Sequence, residues 1–121
     1  MEFVETSLFQ EEWKALGFKD EHLRQLQQWI CKNPDTGDFV AKACKIRKVR
    51  FAVKTGKTTS GKRGGARVIF RYFPRFESTL LLYVYSKKDK QDLTDDDKEI
   101  MCELIKEIEK LLPLKNKKRT R

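Results

Sequence analysis

An α+β fold with a small antiparallel β-sheet, two N-terminal helices and a C-terminal helix is what the sequence predicts, on three observations. Apolar residues recur at helical spacing in Phe9, Trp13 and Leu16, and again in Leu23, Leu26, Trp29 and Ile30. Three later stretches, 45–53, 66–73 and 80–87, alternate apolar and polar residues and are rich in Val, Ile, Phe and Tyr. Near the end, Thr94 and three aspartates precede an apolar stripe of Ile100, Met101, Leu104, Ile105, Ile108, Leu111 and Leu112.

In order, Glu2-Phe3-Val4-Glu5 alternates and reads as a short first strand. Ser7, with Gln10 three residues on, is the expected cap of the first helix, which Gly17 ends. Asp20 is the expected cap of the second, stopped at Asn33-Pro34. His22 in its first turn reads as an exposed bystander. Residues 33–38 are a turn on composition. In 45–53, Val49, Phe51 and Val53 share one face, Lys48, Arg50 and Ala52 the other, and Ile46 falls on the polar face. A loop over 54–65 follows, and residues 74–78 join the next two strands as a hairpin, which completes an antiparallel meander with one covered face. Asp97 completes a capping box with Thr94, and Pro113 is the expected stop. This gives one domain over 1–112 and a basic tail over 113–121 that is loosely held.

The charge is strongly asymmetric. The formal net charge is +9, and five positive residues with no acid lie in the tail. From Phe39 to Phe76 there is no Asp or Glu, against twelve Lys and Arg. A solvated face mixes signs, so this segment implies an anionic partner: nucleic acid, an acidic protein or a membrane surface. No apolar run approaches the ~20 residues a spanning helix needs, and Glu2 and Glu5 stand where a secretion signal would be positive. Cys31, Cys44 and Cys102 are odd in number and widely spaced, so no disulfide framework is expected, and a reducing, cytoplasmic setting fits.

The expected site centres on 61–73. Gly61-Lys62-Arg63-Gly64-Gly65 is a basic loop that runs into a strand carrying Arg67. Lys48 and Arg50 share a face of the preceding strand, and Lys87 and Lys88 end the last one. Pairing in order would bring these five together on one patch. Arg47, Lys57, Lys62, Arg63, Arg71 and Tyr85 are the further RNA-contact candidates. Tyr83 and Tyr85 either stack bases or pack in the core; alternation alone does not choose. Cations with aromatics nearby suit single-stranded RNA, through phosphate contacts and stacking. The bland alternative is a basic sheet edge that discourages aggregation. No Ser/His/Asp set, HExxH or P-loop is present, and no cofactor or metal is expected. Chemistry here would run on Lys, Arg and Tyr, stabilising a pentavalent phosphate.

Four segments together carry a resemblance. Ile46-Arg47-Lys48-Val49-Arg50-Phe51, then 61–70, then Leu81-Leu82-Tyr83-Val84-Tyr85-Ser86-Lys87, then Asp92-Leu93-Thr94 resemble the RelE/ParE toxin superfamily, in particular its HigB-type toxins. Phe3-Val4-Glu5-Thr6 and the turn from Asn33-Pro34 to Gly37-Asp38 match as well, so the resemblance spans roughly 1–112. It implies a RelE-like fold with helices on one side of a small antiparallel sheet. It implies the toxin of a type II toxin–antitoxin system, neutralised by a HigA-like helix-turn-helix antitoxin, with DNA met only through that antitoxin. It implies a metal-independent endoribonuclease, an mRNA interferase that cuts mRNA on the ribosome and inhibits translation. In the RelE pattern a ribose 2′-hydroxyl attacks the adjacent phosphate. By position, Lys48 and Arg50 match the family's paired strand cations, Arg67 its strand arginine, and Lys87 or Lys88 its final basic group. RelE has a tyrosine after that last group, and this chain has none from 87 to 121, so no residue is assigned to proton abstraction. The broad apolar stripe of the last helix is the expected antitoxin grip, leaving the basic face to RNA. The alternatives are a ParE-like DNA gyrase poison and a non-catalytic RNA- or acidic-protein-binding module.

Overall fold

The computed structural model describes residues 1–55, 58–60, 65–86 and 92–119, with only the backbone for Val53–Thr55, Thr58–Ser60 and 113–119. The class is α+β. β1 (Glu2–Glu5) comes first, then α1 (Ser7–Ala15) and α2 (Asp20–Lys32). The strands β2 (Asp38–Ala41), β3 (Ile46–Phe51), β4 (Val53–Thr55), β5 (Thr58–Ser60), β6 (Ala66–Phe73) and β7 (Ser78–Ser86) follow, and α3 (Asp95–Arg119) closes the chain.

The main sheet has five strands in the order β1-β7-β6-β3-β2 and is mixed rather than antiparallel. β1 pairs parallel with β7, because α1, α2 and the intervening strands supply the long crossover a parallel pair requires. β2 adds an edge strand antiparallel to β3 that the sequence reading did not predict; only its first residue, Asp38, fell in the expected turn over 33–38. Ala52 interrupts the predicted 45–53 strand, and β4 and β5 form a separate two-stranded hairpin within the expected loop.

The sheet is covered on both faces, which corrects the expectation of helices on one side. Val49, Val68, Phe70, Leu81 and Val84 pack with Phe9, Trp13, Leu26 and Ile30 of α1 and α2. Trp13 stacks on Phe18 at 4.3 Å between ring centroids and tilts against Phe51 at 5.8 Å. On the reverse face Ile46, Ile69, Phe73, Leu80 and Leu82 pack with Ile105 of α3. Each such fully buried side chain contributes ~1.5–3 kcal/mol. This second layer explains why Ile46 sits among cations on its strand: that end of the face lies under α3. A register shift between Ile69 and Phe70 against β7 lets Leu82 and Tyr83 both serve the second layer.

Several local readings are corrected. Thr6, not Ser7, caps α1: its Oγ1 accepts from the Phe9 amide at 3.0 Å and donates to the Leu82 carbonyl at 2.7 Å. Lys19, not Asp20, is the cap of α2, and its amide donates to Nδ1 of His22 at 2.9 Å. His22 is therefore buried and structural rather than exposed. The Thr94–Asp97 box forms as expected, with bonds of 2.9 and 3.1 Å in the two directions. Pro113 does not stop α3, which runs to Arg119. A proline costs ~3 kcal/mol in a helix interior, but Leu114, Lys115, Lys117, Lys118 and Arg119 are good helix formers that carry the helix on. Cys44 and Cys102 form a disulfide across 58 residues, against the expectation of none, and Cys31 is free. The fold brings the turn before β3 onto α3, a proximity that spacing along the chain does not show. Among the described residues no helix is long and apolar enough to cross a membrane.

Candidate functional site

The register of three strands builds the site. Arg50 on β3 pairs with Arg67 on β6, and Arg67 pairs with Tyr85 on β7. One step along the strands, Lys48 pairs with Ile69 and Ile69 with Tyr83. Residues two apart share a face, so Lys48, Arg50, Arg67, Tyr83 and Tyr85 all lie on the α3 side. They occupy the end of the sheet opposite Phe73 and Leu80. Arg50 is exposed, Lys48 and Arg67 are half-buried, and Tyr85 is buried. The two tyrosines stack at 5.6 Å. Of the two roles the alternation left open, Tyr85 takes the core: its ring packs beside Leu93, and its hydroxyl reaches Asp92.

Like charges directly opposed across a strand pair repel. Arg50 and Arg67 are held in that relation, and among the described residues no carboxylate pairs with either guanidinium. Arg67 donates to the Gly65 carbonyl at 3.1 Å, which steers its side chain with a neutral acceptor. Gly65 has φ 70, a left-handed turn that suits glycine and delivers the chain into β6.

Asp92 is the acid of the site, and the sequence reading gave it no role. Its carboxylate lies 3.5 Å from Lys48 Nζ, accepts from the Tyr85 hydroxyl at 3.4 Å and accepts from the Leu93 amide at 2.8 Å. The Leu93 amide bond, helped by Lys48, holds its pKa below the usual carboxylate value. Burial, then Asp92, pushes the Tyr85 phenol up to about 12. At neutral pH the site therefore holds a carboxylate, a neutral phenol and cations. The signals available for Asp92 were its place two residues before the Thr94 cap and its membership of the Asp92-Leu93-Thr94 segment; its use as a counter-ion depends on the chain returning to β3.

The other candidates are dispersed. Arg47 lies on the opposite face, stacks over Phe39 at 4.2 Å and donates to the carbonyls of Asp35 and Gly37 at 2.8 and 3.3 Å. Arg71 is buried at the far end of β6. It donates to the Cys44 carbonyl at 3.0 Å, lies 3.6 Å from Glu109 and packs 4.4 Å over Phe73. Burial lowers its pKa, and Glu109 opposes that shift. Lys57, Lys62, Arg63, Lys87 and Lys88 lie outside the described residues. What the described part of the site can do is grip a phosphate with fixed cations and offer a phenol hydrogen bond beside it. No protein-family model matches the chain.

Proposed function

We propose that the protein is a metal-independent mRNA endoribonuclease with a RelE-like fold, the HigB-type toxin of a type II toxin–antitoxin module. The observation that carries this reading is the cross-strand row Arg50–Arg67–Tyr85 with Lys48 one step away on the same face. An opposed arginine pair costs stability unless an anion comes between them. A phosphodiester is such an anion, and Tyr83 beside Tyr85 offers a ring against which a base can stack.

In the proposed reaction the ribose 2′-oxygen forms a bond to the adjacent phosphorus as the 5′-oxygen–phosphorus bond breaks, leaving a cyclic phosphate; the 2′-hydroxyl proton passes to water and the departing 5′-oxygen takes one from water. Arg67 and Arg50 stabilise the charge that builds on the phosphate oxygens. Lys48, released from Asp92 by the incoming phosphate, adds a third cation. Tyr85 stays protonated and acts as a hydrogen-bond donor, not as the base. Action on mRNA at the ribosome implies a cytoplasmic protein, silenced by a HigA-like antitoxin.

Induced expression with mapping of new mRNA 5′ ends tests the reading. Cleavage inside translated frames, with arrest of protein synthesis before DNA synthesis, is expected. Early DNA breaks with intact mRNA would assign gyrase as the target instead.

A further inference from the structure

A second basic and aromatic surface lies at the other end of the sheet, away from the Arg50–Arg67 row. Between the edge strand β2 and the 3₁₀ turns Lys42–Cys44 and Pro74–Phe76 is a cavity of ≈ 450 Å³. That is within the ~300–1,000 Å³ of sites that enclose small ligands. Among the described residues four cations line it, Lys42, Lys45, Arg47 and Arg71, against the single carboxylate of Asp35. Its aromatic members are Phe39 and Tyr72.

Three features mark this cavity as built. Phe39 is 41% exposed and carries the Arg47 guanidinium on its ring, a cation-backed face of the kind on which a base stacks. Arg47 is locked in that place by the backbone carbonyls of Asp35 and Gly37. Lys45 caps the Lys42–Cys44 turn at φ 56, a left-handed conformation that lysine rarely adopts. Arg71 is only 7% exposed, and its Nε–H meets no acceptor among the described residues. Its one carboxylate partner, Glu109, is half exposed, so this wall of the cavity holds a buried cation that is incompletely compensated.

We infer that this cavity binds a nucleoside phosphate, with the base on Phe39 and the phosphate near Lys42, Lys45 and Arg71. An acidic peptide would satisfy the cations but would have no use for a guanidinium-backed ring. The nucleoside phosphate is either a free nucleotide or one unit of a single-stranded RNA. The inference does not depend on cleavage at the Arg50–Arg67 row, because binding is measurable with a strand that cannot be cut.

The experiment titrates the full chain with adenosine and uridine 5′-monophosphates, a 2′-O-methyl hexanucleotide, inorganic phosphate and a hexaglutamate peptide, followed by calorimetry. The variants are Phe39→Leu, which keeps an apolar side chain, and Lys45→Gly, which suits the left-handed backbone while removing the charge. Lys106→Ala, an exposed lysine of α3 that lies in neither site, serves as the control. Each of the first two should weaken nucleotide or oligonucleotide binding about tenfold or more, and Lys106→Ala should leave binding of every probe unchanged. Equal binding of the monophosphates and the hexanucleotide identifies a free nucleotide; tenfold tighter binding of the hexanucleotide identifies RNA. Inorganic phosphate or hexaglutamate binding as well as the nucleotides would overturn the inference. So would unchanged binding in both Phe39→Leu and Lys45→Gly, or no binding of any nucleotide probe at millimolar concentration.

Discussion

Gly37 packs against the backbone carbonyl of Lys48, with φ +86 and no room for a Cβ. A Cβ built there would also stand 2.6 Å from Cγ1 of Val49. The turn before β2 therefore sets the position of the strand that carries Lys48 and Arg50. Gly37→Ala should lose roughly 1–3 kcal/mol in urea denaturation, from left-handed strain and displacement of β3. RNA cleavage should fall further than the unfolded fraction explains. Full activity in a folded Gly37→Ala protein would show that β3 tolerates the shift.

Arg67 is held between Arg50 and Tyr85 by strand register, so its removal should leave the fold intact. Arg67→Ala should lower RNA cleavage by roughly 10²–10³, with an unchanged denaturation midpoint. Arg67→Lys should rescue little, because an ammonium lacks the paired donors of a guanidinium. Cleavage assays on folded variants check this, and near-normal rates in either would remove Arg67 from the site.

Tyr85 should ionise late. Burial and the Asp92 carboxylate raise it to about 12 from an ordinary 10.0. A raised value in the folded state means that the stabilisation is fully present below pH 10 and is lost as pH rises through about 12. The ultraviolet phenolate signal should therefore carry a late component from Tyr85. Asp92→Asn should move that step down, since the repelling charge and its preference for the protonated phenol are gone. Titration of wild type and variant at 295 nm is the measurement.

Glu109 is the only carboxylate that reaches Arg71 among the described residues. Glu109→Gln leaves a buried guanidinium with less compensation and should cost roughly 1–3 kcal/mol. Arg71→Met should be milder than Arg71→Ala, because it refills the space over Phe73 without the charge. Urea denaturation of the three variants ranks them.

The Cys44–Cys102 bond closes a long loop. Thiol counting on protein alkylated at lysis should give one reactive cysteine without reductant and three with it. Reduction should lower stability by roughly 2–4 kcal/mol. Three thiols in freshly lysed cells would mean the pair stays reduced there, as the cytoplasm favours.

What could be read from the sequence was what depends on neighbours along the chain. β6 and the Thr94–Asp97 cap follow from local periodicity and capping chemistry. The convergence of Arg50 and Arg67 followed from two adjacent strands pairing in order. What could not be read depends on what folds over each face. Alternation shows that Ile46 and Lys48 share a side; only the placement of α3 buries the first and leaves the second beside Asp92. Arg71 looked like one more cation of a basic run, and the same helix brings Glu109 to it. His22 looked exposed because its capping role needs the Lys19 amide, a backbone group that no residue type announces.

The parallel pairing of β1 with β7 governs the order in which the molecule can be made. Residues Glu2 to Glu5 leave the ribosome well before their partners, Ser78 to Leu81. At ~5–20 residues per second, β1 waits several seconds for its mate. The Arg67–Tyr85 pairing closes at the same late stage. A nascent chain therefore carries its cations as scattered charges on an unfinished sheet, and the Arg50–Arg67–Tyr85 row forms only after β7 has cleared the exit tunnel. Pulse-chase proteolysis of stalled chains would show protection arriving in one late step. If this protein does cut mRNA on ribosomes, its own topology delays the first cut until its synthesis has passed that point.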